Sequence, residues 1–273
     1  MKNLKKLLIV TFAFLTLLTL SGCSAKQAKS KLTAEEAFAK TKEVSEGAKN
    51  YKMGMKMSFG LKADVSGIKM NMDVDVNLDS KIDVDNEVGY LKMDSTLSQQ
   101  NQNQEMYIKY DKENNKLTTY VLNDGKWYKQ VTNDDFSKYK NSSNDTLDIL
   151  TKSNSIKQID ADKENYNYEI TITKADLLKM LASTGETGTI DNVLSNVSGD
   201  MKVVVSLNKN DYSLSKITLD LLSLLKANSV AGIEYTKASY EMTFSEYGKV
   251  GKIEIPEEVI NNAVELTEEQ LAQ

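Results

Sequence analysis

The chain has 273 residues, 34 basic against 39 acidic, a net charge of −5 and no histidine. Every basic residue is lysine and the single cysteine is Cys23, which excludes imidazole-dependent nucleophile pairs, HExxH zinc sites, guanidinium forks and intramolecular disulfides. The acidic balance argues against nucleic acid as a partner, and no phosphate-binding glycine loop is present, so any catalysis would have to use carboxylates, lysine, tyrosine or serine.

At the start, Lys2, Lys5 and Lys6 precede an apolar run over residues 7–20. Its 14 residues are too few for a membrane span, which needs roughly 17–25, but suit a secretory signal. The run ends in Leu20-Ser21-Gly22-Cys23, which resembles the bacterial lipobox, where small residues precede a cysteine that receives a diacylglyceryl group. Residues 1–22 therefore read as a lipoprotein signal peptide, Cys23 as the lipid attachment site, 23–31 as a lipidated tether and 32–273 as the folded domain. Two acyl chains hold a protein stably at a membrane, where one binds only marginally.

Residues 32–49 read as a helix. Thr33 and Glu36 fit a capping box, and Ala34, Ala37, Phe38, Thr41, Val44 and Ala48 give a narrow apolar stripe. Strict alternation follows over 51–59 and again over 68–78, separated by a turn-rich interval. The second run of 11 residues would extend about 37 Å. A further strand over 80–93 changes phase, which suggests a bulge near Gly89. Residues 96–104 are polar low complexity and read as a loop or strand end. Strands over 106–110, 117–122 and 126–131 are joined by turns at 111–115 and Asn123-Asp124-Gly125. Residues 51–131 thus form an antiparallel meander of about six strands.

Residues 132–161 read as two short helices, 133–139 and 144–153, crossing the open side of the sheet. A strand over 166–172, a helix over 174–181, a loop over 183–188 and an unassigned segment at 191–197 follow. Strands over 201–207, 212–221 and 233–244 come next, the second also fitting a helix in part. Ile253, Ile255 and Pro256 lead into a helical stretch over 257–271. The fold class is α+β: a large curved antiparallel sheet, an incomplete barrel of about ten or eleven strands, with helices on its concave side. A division into two domains near 155–165 is the alternative.

Residues 34–48, the YKMGMKM strand, Met106-Tyr107-Ile108, Asp124-Gly125-Lys126-Trp127-Tyr128 and Ile253-Glu254-Ile255-Pro256 together resemble the LolA/LppX-like lipoprotein superfamily, in particular small Gram-positive lipoproteins of this type. The resemblance implies a half-barrel with a helical lid and an apolar cavity for acyl chains or lipidated molecules. The lipobox, by contrast, carries the expected location: lipid-anchored at the extracytoplasmic face of the cell membrane.

The candidate ligand lining is Tyr51, Met53, Met55, Met57, Phe59, Met70, Met72, Val74 and Trp127. Methionine is flexible and polarizable and adapts to variable apolar partners. The same stripe also reads as ordinary core beneath the first helix, and Trp127 as either a pocket mouth or a barrel-end anchor. Asp73, Asp75, Asn77 and Asp79 have the spacing of a calcium loop, but Leu78 stands where glycine is needed and Val84 where glutamate is needed. They read as a solvent face with Lys52 and Lys56 as cross-strand partners. No catalytic residue, metal site or cofactor is assigned. The sequence points to a non-enzymatic, membrane-anchored monomer that binds or carries a lipid or other hydrophobic ligand. The alternative is a cell-surface interaction or sensing module without a cavity.

Overall fold

The computed structural model describes residues 29–65, 67–98, 100–153, 155–182, 199–229 and 232–266. Cys23, the signal peptide, most of the tether, the expected loop at 183–188, the segment 191–197 and the end of the 257–271 stretch lie outside the described residues.

Helix α1 (Ala34–Glu46) begins where the sequence places a cap: Thr33 accepts from the Glu36 backbone and the Glu36 carboxylate accepts from Thr33. Two strands of 16 residues follow, β1 (Asn50–Val65) and β2 (Ile68–Asp83). The alternation of β1 therefore continues past Phe59 through the stretch read as turn-rich. The phase change near Gly89 is a hairpin and not a bulge. Asp83 accepts from the Asn86 backbone at 3.1 Å and from its Nδ2 at 2.8 Å, and Glu87 turns the chain at φ 50°. Strand β3 (Val88–Leu97) and β4 (Gln100–Asp111) run through the polar stretch read as a loop, turning at Ser98 with φ 46°. Strands β5 (Lys116–Asn123) and β6 (Lys126–Thr132) meet at Asp124-Gly125, both left-handed.

A single helix α2 (Ser137–Thr151) replaces the two short helices expected there. After β7 (Ile156–Gln158), β8 (Asn165–Ile172), helix α3 (Lys174–Ala182) and β9 (Met201–Asn208), the ambiguous run divides into strand β10 (Leu214–Asp220) and helix α4 (Leu221–Ala227). Asp220 ends the strand by accepting from the Leu222 and Ser223 backbones, so its carboxylate caps the new helix. Strand β11 (Ile233–Ser245), helix α5 (Glu257–Asn262) and β12 (Val264–Glu265) complete the chain, so the terminal helical stretch is one short helix and a parallel strand pair within the described residues.

One open sheet holds all twelve strands, in the order β12-β6-β5-β4-β3-β2-β1-β11-β10-β9-β8-β7. Every neighbouring pair is antiparallel except β12 with β6. The inner face is apolar because alternate residues point to it: Ile170, Val203, Leu219 and Tyr240 lie across one row and are all buried. Helices α1 to α4 cover this face with Phe38, Leu147, Leu150, Leu177 and Leu225, each at most 2% exposed. Burying one such side chain stabilises the fold by about 1.5–3 kcal/mol. Phe38 meets Tyr168 edge to face at 5.3 Å, and Lys42 ties α1 to α2 through Asp148 at 2.7 Å. The chain enters the fold at the opposite end from the β1–β2 hairpin tip: Ser30 shares a hydrogen bond with the Tyr212 hydroxyl at 3.0 Å.

On the outer face the C-terminal segment forms a strap. After Gly248, whose N–H donates to the Asn50 carbonyl at 2.8 Å, the chain leaves β11 and ends beside β6. Val250 and Val259, both buried, pin its two ends.

Candidate functional site

The long β1–β2 hairpin is in perfect register. Tyr51 faces Ile82, Met55 faces Leu78, Met57 faces Val76, Phe59 faces Val74, Leu61 faces Met72 and Ala63 faces Met70. Eight of the nine candidate lining residues therefore share the inner face: Tyr51, Met53, Met55, Met57, Phe59, Met70, Met72 and Val74. Their environments form a gradient. Tyr51 and Met55 are part of the buried core, and Met53, Met57 and Phe59 are half-buried against it. Met72 and Val74 are half-buried farther along, and Met70 is 56% exposed. The stripe is core at its foot and open surface toward its tip.

Residues that sequence reasoning did not assign extend this rim. Ile68 is 66% exposed and Leu97 48% exposed, and both point to the inner face, Leu97 through its pairing with Val74. Leu61 and Ala63 belong as well; unbroken alternation beyond Gly60 is the signal that carries them. An open groove of about 560 Å³ lies at this end, lined by Ala63, Met70 and Ile233 of the inner face, by Gly232, and by Lys62, Asp64, Lys69, Asn71 and Glu234 of the opposite face. That volume falls within the range of small-ligand sites, roughly 300–1,000 Å³. Gly232 is required there: its φ is 84°, and a Cβ would sit 2.7 Å from the Asp64 carbonyl oxygen.

Trp127 is the exception and corrects the expected lining. It pairs with Leu122, whereas its neighbour Tyr128 pairs with Val121, which shares the inner face with Met106. Trp127 thus points to the outer face, where it packs against Tyr107 at 5.7 Å, and Tyr107 against Tyr90 at 5.0 Å. It closes no mouth over the methionines. Counting parity back from inward-facing Leu117 across the two-residue turn gives this orientation.

The acidic stripe also lies outside, but its partners differ from those expected. Lys237 of β11 reaches Asp75 at 2.7 Å and Asp73 at 3.6 Å, and Ser58 donates to Asp75 at 2.7 Å. Lys52 pairs instead with Glu246 at 2.6 Å. The Lys237 hydrogen bond, and then that of Ser58, hold the Asp75 carboxyl below its ordinary range. Among the described residues no group of three or more histidine, cysteine, aspartate or glutamate side chains is placed to hold a metal ion.

The model of a family of unknown function, DUF6612, matches residues 33–264, and the chain belongs to that family. No curated protein matches the sequence. Among solved structures, the chain is similar to LprF from Mycobacterium bovis, with 10% identity, 81% of this chain and 96% of the other covered, and a TM-score of 0.47. It is also similar to a LolA superfamily protein from Nitrosomonas europaea, with 10% identity over 78% of this chain and 92% of the other at a TM-score of 0.22. A beta-barrel-like protein of the domain of unknown function DUF1849 from Brucella abortus gives 8% identity over 72% and 94% at 0.27. The open α+β sheet with helices on its inner side is the architecture that the LolA/LppX-like resemblance implies.

Proposed function

We propose that this member of the DUF6612 family is a lipid-anchored extracytoplasmic protein that takes an acyl chain or similar apolar ligand on the open end of its inner face. It would act by burial and not by covalent chemistry. One observation carries the reading: the inward rows of β1 and β2 stay apolar from Met55 and Leu78 in the core to a rim where Ile68 and Met70, with Leu97 of β3 nearby, stand in water. Large apolar side chains clustered on one face mark an interaction site more often than singly scattered ones do. A ligand laid along the rim would gain about 0.8 kcal/mol per buried methylene. Methionine lining suits chains of varied length and branching.

Anchoring rests on Cys23 and its lipobox. No helix among the described residues is long and apolar enough to cross a membrane. Metabolic labelling with a radioactive fatty acid tests this part, and Cys23→Ser should lose the label and release the protein from membranes. For the ligand, protein purified without detergent should yield a stoichiometric lipid on organic extraction and bind a fluorescent fatty acid saturably. Protein that carries no lipid and binds none would overturn the proposal.

A further inference from the structure

A second cavity, of about 450 Å³, lies on the outer face between the sheet and the strap. It is far in character from the apolar rim. Its floor is a row across four strands: Lys52, Lys81, Tyr90 and Tyr107, each directly paired with the next. Its roof is strap residues 250–254. A smaller cavity of about 220 Å³ adjoins it, again bordered by Lys52, Lys81 and Tyr90.

Three features define what could fill this space. The first is charge. Lys52 and Lys81 stand directly opposite each other, a placement that costs stability by tenths of a kcal/mol. Glu246 neutralises Lys52 at 2.6 Å, and Glu254 neutralises Lys252 at 2.8 Å. Lys81 makes no ion pair among the described residues, and the carboxylates that act on the floor tyrosines are Glu105 on both and Glu258 on Tyr107. The second is the aromatic wall. The Tyr90 and Tyr107 rings are neighbours, centroids 5.0 Å apart and tilted 47° to each other, and both are half-buried and line the cavity. Burial and neighbouring Glu105 push the Tyr90 phenol up to about 12, so it stays protonated at any physiological pH. The third is accessible backbone. Gly251 is exposed and Ile253 half-buried in the roof, and neither makes a backbone hydrogen bond among the described residues.

We propose that this groove binds an acidic sugar: a polyhydroxylated ring carrying one carboxylate or phosphate. The anion pairs with Lys81, the C–H face of the ring packs against the tilted Tyr90–Tyr107 pair, and the hydroxyls bond with the strap backbone and the two ion-paired glutamates. An apolar ligand would leave these polar groups unpaired, and a bare inorganic anion would leave the aromatic wall unused. The site is independent of the acyl-chain reading, because it lies on the opposite face of the sheet.

The test is calorimetric titration of the purified protein with three probes: a glucuronate-containing disaccharide, the corresponding neutral glucose disaccharide, and inorganic phosphate. The acidic sugar should bind at least about tenfold more tightly than either of the others, as one charge-assisted hydrogen bond predicts. Lys81→Gln, at an exposed position, should erase that preference, whereas Lys62→Gln at the hairpin tip should keep it. Absence of saturable binding by the acidic sugar, equal binding of the neutral sugar or of phosphate, or an unchanged preference in Lys81→Gln would each overturn the proposal.

Discussion

The gradient along the methionine stripe can be tested by exchanging two residues of the same type. Met55 is 5% exposed and lies within the closed core, whereas Met70, on the same sheet face, is 56% exposed at the rim. Met55→Ala removes buried atoms and leaves a cavity, a change that costs about 2–5 kcal/mol. With about 3 kcal/mol lost and a urea m-value near 3 kcal/mol/M for a chain of this size, the unfolding midpoint should fall by about 1 M. Met70→Glu removes little buried surface, and surface changes stay within about 0.5 kcal/mol, so the midpoint should move by less than about 0.2 M. Ligand binding should respond in the opposite order. A carboxylate at the rim must be desolvated when an acyl chain is laid over it, so Met70→Glu should weaken a fluorescent fatty acid by at least about tenfold. Met55→Ala should leave that affinity nearly intact. The experiment is a urea titration followed by intrinsic fluorescence, paired with a fatty-acid titration. A Met70→Glu midpoint as low as that of Met55→Ala would refute the reasoning, and so would loss of ligand confined to Met55→Ala.

Gly60→Ala would place a Cβ 2.5 Å from the Thr236 hydroxyl, 2.8 Å from Lys237 Cγ and 2.9 Å from an Asp73 oxygen. Overpacking at the low end of about 1–3 kcal/mol should lower the melting temperature by about 2–4 °C in a thermal scan. Asp220→Ala removes the acceptor for two backbone N–H groups of α4, and a loss of about 1 kcal/mol should accompany faster amide exchange confined to 221–227. Asp75 has a depressed folded-state pKa, so its stabilisation is present above the unfolded value near 3.8 and is lost as pH falls through the folded value. Asp75→Asn should therefore flatten the acid limb of a stability–pH curve below about pH 4. The difference should not exceed about 1 kcal/mol, because solvent screens this partly exposed pair.

Where one sheet face is buried and the other wet, the alternation is visible in the chain, and β1, β2, β5, β8 and β11 could be read directly. The turn between β3 and β4 could not. Ser95, Gln102 and Gln104 are polar on the inner face and Asp94, Asn101 and Asn103 are polar on the outer, so no period survives. Those residues are strands because pairing extends upward from Leu91 and Met106, not because of their own side chains. The run after Tyr212 misleads for a different reason. Leucines fit either period, and the switch from β10 to α4 depends on one carboxylate, that of Asp220, meeting two particular N–H groups. The candidate lining was legible as a face but not as a gradient, since burial depends on which helices arrive overhead. The strap was hidden as well: Ile253 and Ile255 alternate like a strand, yet they cross an outer face that no local pattern announces.

An open sheet of twelve strands has two free edges, and each is a template on which another chain could add a strand. This protein blunts both. The β7 edge is three residues long, too short to recruit a partner firmly. The β6 edge is interrupted at Tyr128 and Lys129 by β12, delivered there by the strap and fastened by Lys129–Glu265 at 3.2 Å and by the Leu266 N–H to the Lys129 carbonyl at 2.9 Å. Lateral growth is thus checked by the chain's own tail, which makes the strap a guard against polymerisation. The sheet can leave the end of its inner face uncovered without inviting its own kind to extend it.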